Sequence, residues 1–254
     1  MNRPHVIASS GGSRPVEPAQ HASRGIAEDR RTGYGMTTTI ECEAVRIGSL
    51  GLPGELALSA ESKGIVVFAH GSGSSRLSPR NAFVASVLHE HCLGTLLFDL
   101  LTIAEADDRR NVFDIELLGE RMVEALDWLA RRSGDTDLRI GLFGASTGAA
   151  AALRAEADRP GRVAAVVSRG GRPDLAGERL AHVHAPTLLI VGGRDTEVLQ
   201  LNRAALRAMK CRKRLEVVPG ATHLFEEPGA LEQVARHAAA WFAARLTIGR
   251  APES

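Results

Sequence analysis

The stretch Leu138-Arg-Ile-Gly-Leu-Phe-Gly-Ala-Ser-Thr-Gly148 decides how this chain is to be read. Its first six residues carry a buried-strand pattern. They run straight into Gly-x-Ser-x-Gly at positions 144–148, and Ala149–Ala152 and Leu153 follow as helix formers. A serine on a sharp strand-to-helix turn has its Oγ aimed out of the sheet, and side chains two residues to either side would collide with the neighbouring strand and helix. Glycine at 144 and 148 is what that geometry demands. In a chain with 26 glycines the bare pattern carries little weight. Its position between a strand and a helix carries much more.

Working outward, short apolar runs alternate with longer helical patterns. The runs are Glu43–Ile47, Glu55–Ser59, Gly64–His70, Gly94–Asp99, Leu138–Gly144, Val163–Ser168, Thr187–Gly192 and Arg214–Val218. Helices are predicted near 80–92, 113–132, 147–158, 174–182, 197–210 and 228–246. In 113–132, Ile115, Leu118, Met122, Leu126 and Leu129 recur at i, i+3/i+4 spacing and form one apolar face. This alternation predicts an α/β protein with a mostly parallel eight-stranded sheet and helices on both faces. The first two runs have no helix between them and predict an antiparallel N-terminal edge. A single domain is expected over 37–254. Residues 1–36, rich in Ser, Gly, Pro and Arg and without apolar periodicity, are expected to be a disordered arm or a start misplaced ahead of Met36.

In such sheets chemistry gathers at the carboxyl ends of the strands, so the residues following each strand matter most. After Gly64–His70 comes Gly71-Ser-Gly-Ser-Ser-Arg76, a loop able to present backbone N–H groups to a developing oxyanion beside the N–H of Thr147. Ser72 is the loop donor expected, and Gly73 is placed against substrate. The rival reading, a nucleotide loop of the G-x-G-x-x-G type, fails at its third glycine, where Arg76 stands. Thr187–Val191 ends in Gly-Gly-Arg-Asp195, and Arg214–Val218 ends in Pro-Gly-Ala-Thr-His223. Either residue alone has a plain explanation: an Asp after a strand is usually a helix N-cap, and a loop His is usually just exposed. The order Ser146, Asp195, His223, each after its own strand, points to nucleophile, orienting acid and general base.

The segments HGSGSS (70–75), GASTG (144–148), GGRD (192–195) and PGATH (219–223) resemble the α/β-hydrolase superfamily, and within it the dienelactone hydrolase-like branch. The resemblance covers about residues 40–246. It implies an α/β-hydrolase fold without a large lid, acting on a small carboxylic ester or lactone through an acyl-enzyme. One departure stands out: dienelactone hydrolases proper use a cysteine nucleophile, and this elbow carries Ser146.

Arg169 and Arg172 flank Gly170-Gly171 after Val163–Ser168, where either could grip a substrate carboxylate; the competing reading of Arg172 is a partner for Asp174. Glu197 is the fallback for Asp195. His70 is expected to hold the glycine loop by packing and hydrogen bonding. The acids Glu105, Asp107 and Asp108 read as a solvated loop. Only 18 residues separate Ser168 from Thr187, too few for a lipase-type cap, and aromatic content of 4% offers little for a deep acyl channel. A small, open site is expected.

Composition narrows the alternatives. Lys+Arg total 31 against 30 Asp+Glu, which excludes a general electrostatic grip on nucleic acid or anionic membrane. No apolar run reaches the roughly 18 residues of a membrane span. Of the basic residues only Lys63, Lys210 and Lys213 are lysines. Cys42, Cys92 and Cys211 form no paired or metal-ligand spacing, so free thiols in a reducing, cytoplasmic compartment are expected. The chemistry calls for no metal or organic cofactor. Oligomeric state is left open. A non-catalytic ligand- or partner-binding module on the same fold, and an acyltransferase or thioesterase using the same three residues, are the competing functions.

Overall fold

A computed structural model describes residues 28–31, 37–133 and 138–247. Its strands are β1 (Glu28–Arg31), β2 (Thr37–Ile47), β3 (Leu52–Leu58), β4 (Gly64–Ala69), β5 (Gly94–Phe98), β6 (Arg139–Ala145), β7 (Ala165–Arg169), β8 (Thr187–Gly192) and β9 (Lys213–Val218), in the spatial order β1-β2-β3-β5-β4-β6-β7-β8-β9. The strands from β5 to β9 run parallel to β4. The edge strands β1, β2 and β3 pair antiparallel. The eight strands expected from the sequence are all present. A ninth, β1, extends the sheet from within the segment expected to be unstructured, pairing Glu28–Arg31 with Thr37–Ile40 of β2. Four residues with no apolar alternation give a strand pattern nothing to show. Backbone pairing at a sheet edge needs none. Residues 1–27 and 32–36, the rest of the expected arm, lie outside the described residues.

The helices are α1 (Pro79–His89), α2 (Ile103–Ala106), α3 (Arg109–Val112), α4 (Ile115–Ser133), α5 (Thr147–Asp158), α6 (Thr196–Ala208) and α7 (Ala230–Leu246), with a 3-10 segment over Pro173–His182 kinked at Gly177. Two cores result. Val84, Leu88, Val234, Ala238 and Phe242 of α1 and α7 pack with Val66, Phe68, Phe143 and Val167 on one face of the sheet. Leu118, Met122, Leu126 and Leu129 of α4, Ala150–Leu153 of α5 and Ala205 of α6 pack with Val67, Leu96, Leu142 and Val166 on the other. Of the stripe read from α4, Leu118, Met122, Leu126 and Leu129 are buried and Ile115 is partly so. Parallel central strands buried on both faces need continuous apolar runs, and β4, β5 and β8 are buried at every position.

The topology also locates the site. From β4 the chain crosses to β5 on one side of the sheet, whereas β6 lies on the other side and leads on to β7 and β8. The order of strands therefore reverses between β4 and β6, whose ends are in register at Ala69 and Gly144. Such a reversal leaves a crevice at the carboxyl ends. Here the 70–75 loop and Ser146 stand at those ends, so close that a Cβ at Gly71 would lie 3.0 Å from Ser146 Cβ.

Candidate active site

Ser146 has φ 51° and ψ −121°, a strained conformation for a residue with a Cβ, costing on the order of 1–3 kcal/mol. The surroundings hold it there. Its N–H donates to the Arg169 carbonyl at 3.3 Å, and its carbonyl accepts from Ala149 N–H at 3.1 Å and Arg172 N–H at 3.0 Å. A Cβ at Gly144 would lie 2.4 Å from Ala149 Cα, and one at Gly148 would lie 2.3 Å from the Ala69 carbonyl oxygen. Both glycines are steric requirements of the turn.

Asp195 sits at the N-cap position of α6 but makes no capping bond with its side chain. Its Oδ2 lies instead 2.7 Å from His223 Nδ1. The Asp195 side chain is 14% exposed and that of His223 38%, so the acid is sheltered while the imidazole reaches solvent. The loop carrying His223 is fixed on both sides. Thr222 N–H donates to both oxygens of Glu227 at 3.1 Å, and Phe225, with φ 56°, is buried. Arg194 N–H donates to the Ala221 carbonyl at 2.9 Å, tying the Asp195 loop to the His223 loop. Glu197, the fallback acid, falls within α6 as expected.

The 70–75 loop is clamped from beneath. Neutral His70 donates from Nδ1 to the Gly71 carbonyl at 3.1 Å and accepts at Nε2 from Leu100 N–H at 3.0 Å. Burial lowers its pKa below the ordinary imidazole value, partly opposed by the Gly71 bond and by Asp99. Arg76, which sequence patterning only counted against a nucleotide loop, fastens the far end of the loop. Its backbone N–H and Nη1 donate to the two oxygens of Asp99 at 2.7 and 2.6 Å. Ser72 N–H, the loop donor expected for an oxyanion, is taken up by Thr147 Oγ1 at 2.9 Å. Thr147 itself is buried at the first turn of α5.

Beside this loop lies a cavity of about 280 Å³, lined mainly by apolar groups and including Ser72, Gly73, Leu100, Leu101, Val112 and Thr147. A cavity of about 150 Å³ already holds a benzene. Its wall comes from α2 and α3, in the segment read as a solvated loop, and this corrects that reading. Glu105 closes a capping box with Thr102 and pairs with Arg121 at 2.9 Å, and Asp108 caps α3. Acids spaced to cap successive short turns look like a loop in the sequence because each turn is too short to show a period. The segment after β7, where a cap would be inserted in a lipase, is the 3-10 stretch packed against α5 and α6.

The two arginines separate. Arg172 donates from Nε and Nη2 to Asp174 at 2.8–3.2 Å, so its fork is already engaged and the competing reading describes it. Arg169 is 6% exposed, and among the described residues its side chain makes one hydrogen bond, from Nη2 to Asn81 Oδ1 at 3.3 Å, while its Nε has no partner. Burial, together with the neighbouring charge of Arg80, pushes its guanidinium down to about 10. His89 meets Thr95 Oγ1, and His91 meets the Val87 carbonyl. The described residues hold no cluster of metal-ligating side chains and no helix long and apolar enough to cross a membrane.

The strand order, the two-faced helical layer and the serine turn are those of the α/β-hydrolase fold. Solved structures agree. A dienelactone hydrolase from Anabaena variabilis is 52% identical and superposes with a TM-score of 0.78 over 82% of this chain and 99% of its own. Est1E from Butyrivibrio proteoclasticus, 16% identical, shares the fold with a TM-score of 0.65 over 79% of this chain and 98% of its own. The dienelactone hydrolase family model matches residues 105–248, and the chain belongs to that family. A Mycobacterium tuberculosis protein provisionally named a phosphoribosyl transferase is 54% identical over 223 residues, covering 87% of this chain and 50% of that protein. The chain thus spans about half the length of that curated relative.

Proposed function

We propose that the protein is a serine hydrolase that cleaves a small carboxylic ester or lactone through an acyl-enzyme. The observation that carries this reading is the Asp195 carboxylate 2.7 Å from His223 Nδ1 in place of a helix-capping bond. That contact fixes the imidazole with its proton on Nδ1 and leaves Nε2 as the base. His223 takes the Ser146 proton as Oγ attacks the acyl carbon, and Asp195 stabilises the imidazolium that forms. The proton then passes to the departing alkoxide. Water, deprotonated by His223, attacks the acyl-enzyme and releases the acid, restoring Ser146.

The oxyanion is received by the backbone N–H of Thr147, at the positive end of α5, and by that of Ser72 once the Thr147 hydroxyl turns away from it. Gly73 lines the adjoining cavity, which supports its place against substrate and supports an apolar acyl group larger than acetyl. Arg169 is left as the cation for an anionic group, a carboxylate being the simplest. Family membership and the esterase fold of the structural relatives support hydrolysis. The transferase name belongs to a protein twice as long. Ser146→Ala should abolish turnover of p-nitrophenyl acetate in a folded protein, and a fluorophosphonate should label Ser146 in the wild type. Wild-type turnover in the variant would remove Ser146 as the nucleophile.

A further inference from the structure

Two hydrogen bonds tie the strained Ser146 to one short turn. Its N–H donates to the Arg169 carbonyl at 3.3 Å, and its carbonyl accepts from Arg172 N–H at 3.0 Å. The residues between them are Gly170 and Gly171. Gly170 has φ 51° and lies against the base: a Cβ there would come 3.7 Å from His223 Cε1 and 3.0 Å from the His223 carbonyl oxygen. The turn therefore touches both Ser146 and His223. Two glycines bring it no side chain to pack, and their backbone is the most permissive of any residue, so its shape depends on hydrogen bonds. Gly170 N–H donates to the Ile190 carbonyl at 2.8 Å. The Gly171 carbonyl accepts from Asn202 Nδ2 at 2.9 Å.

Asn202 belongs to α6, the helix whose N-cap is Asp195, and is fully buried. Its Nδ2 also donates to the Val198 carbonyl, one turn earlier, at 2.8 Å. Both amide hydrogens thus face carbonyls, which fixes the orientation of the group. Among the described residues its Oδ1 has no partner. An unpaired buried acceptor is a cost, one that a leucine of similar shape would not carry. What the amide supplies in return is its donor to Gly171. We propose that Asn202 is a positioning residue, holding the 169–172 turn to α6 and so fixing Ser146 against the Asp195–His223 pair. A single side chain then links the turn that carries the nucleophile to the helix whose N-cap residue orients the base. The inference rests on the hydrolase reading above and deepens its site.

Asn202→Leu and Asn202→Ser, made in the full chain, provide the test. Leucine removes both donors at similar volume. A serine hydroxyl within a helix bonds its own i−4 carbonyl, here Val198, and leaves Gly171 unserved, so it stands in if the leucine variant does not fold. Single-turnover release of p-nitrophenol from p-nitrophenyl acetate, with protein in excess, separates the acylation rate constant from the substrate Kd. At saturation that rate constant is insensitive to an unfolded fraction, and thermal melts report stability separately. The acylation rate constant should fall on the order of 10²-fold, the cost of displacing a reacting group by about 1 Å, while Kd stays within about threefold of wild type. Wild type that neither acylates nor takes a fluorophosphonate at Ser146 would sink the hydrolase reading and this inference with it. An acylating wild type with an unchanged acylation rate constant in a folded variant overturns the positioning role alone, whatever the change in Tm. A loss confined to Kd overturns it as well.

Discussion

Asp195 stands at the N-cap of α6 with its carboxylate turned away from the helix and onto His223 Nδ1, 2.7 Å away. A capping aspartate would satisfy a helix N–H and add roughly 0.5–2 kcal/mol of stability. This one forgoes that bond, and the sheltered carboxylate is held by the imidazole instead.

A consequence follows for Asp195→Asn. No capping bond is lost, so Tm should stay within a few degrees of wild type. Ester turnover should fall on the order of 10³–10⁴-fold, because an amide in that position favours the wrong imidazole tautomer. Thermal melts and kcat on the same preparation check both halves. A large loss of Tm with little change in kcat would make Asp195 structural.

Thr147→Val bears on the oxyanion donors. Removing Oγ1 releases the Ser72 N–H from its 2.9 Å bond. If that N–H receives the oxyanion, kcat/KM for p-nitrophenyl acetate should hold or rise a few-fold. A fall of 10²-fold or more, the usual effect of removing one oxyanion donor, would assign the Thr147 hydroxyl itself to the oxyanion.

The cavity beside Ser72 and Thr147 predicts chain-length selectivity. Wild type should prefer hexanoyl over acetyl p-nitrophenyl esters. Ala106 is exposed at the cavity wall, so Ala106→Trp should fold and should lower the hexanoyl-to-acetyl ratio of kcat/KM by about tenfold, on the scale of about two methylenes of lost burial. An unchanged ratio would place the acyl chain elsewhere.

His70 predicts a pH dependence of stability. Burial lowers its folded-state pKa below the ordinary 6.5. The folded protein therefore binds fewer protons at this residue than the unfolded chain does as pH falls below that value. Its contribution is fully present above about pH 6.5 and is lost as pH drops towards the lowered pKa. His70→Gln should remove this part of the Tm-versus-pH slope, and a slope identical to wild type would refute it.

Much of the fold was legible because parallel central strands buried on both faces cannot avoid continuous apolar runs, and α4 cannot avoid its stripe. Gly144 and Gly148 were legible for a steric reason, as neither position has room for a Cβ. The short elements were not. β1 is held by backbone pairing at the edge, and α2 and α3 are single turns set by Thr102 and Asp108 caps, so none has a period to detect. Arg76 was legible only as a missing glycine, since its partner Asp99 lies in the loop that follows β5, far off in the chain.

The sequence by itself determined the alternation of strands and helices, the serine turn, and the order of Ser146, Asp195 and His223, because each is a local pattern of residue type and spacing. Only the tertiary structure decided that Asp195 serves His223 over its own helix, that Arg172 is engaged by Asp174 while Arg169 is buried against Asn81, and that α2 and α3 wall a cavity of about 280 Å³. The Asp195–His223 contact and the cavity depend on which loops and short helices the strand order sets side by side. Distances between residues far apart in the chain are set by packing, and no local pattern records them.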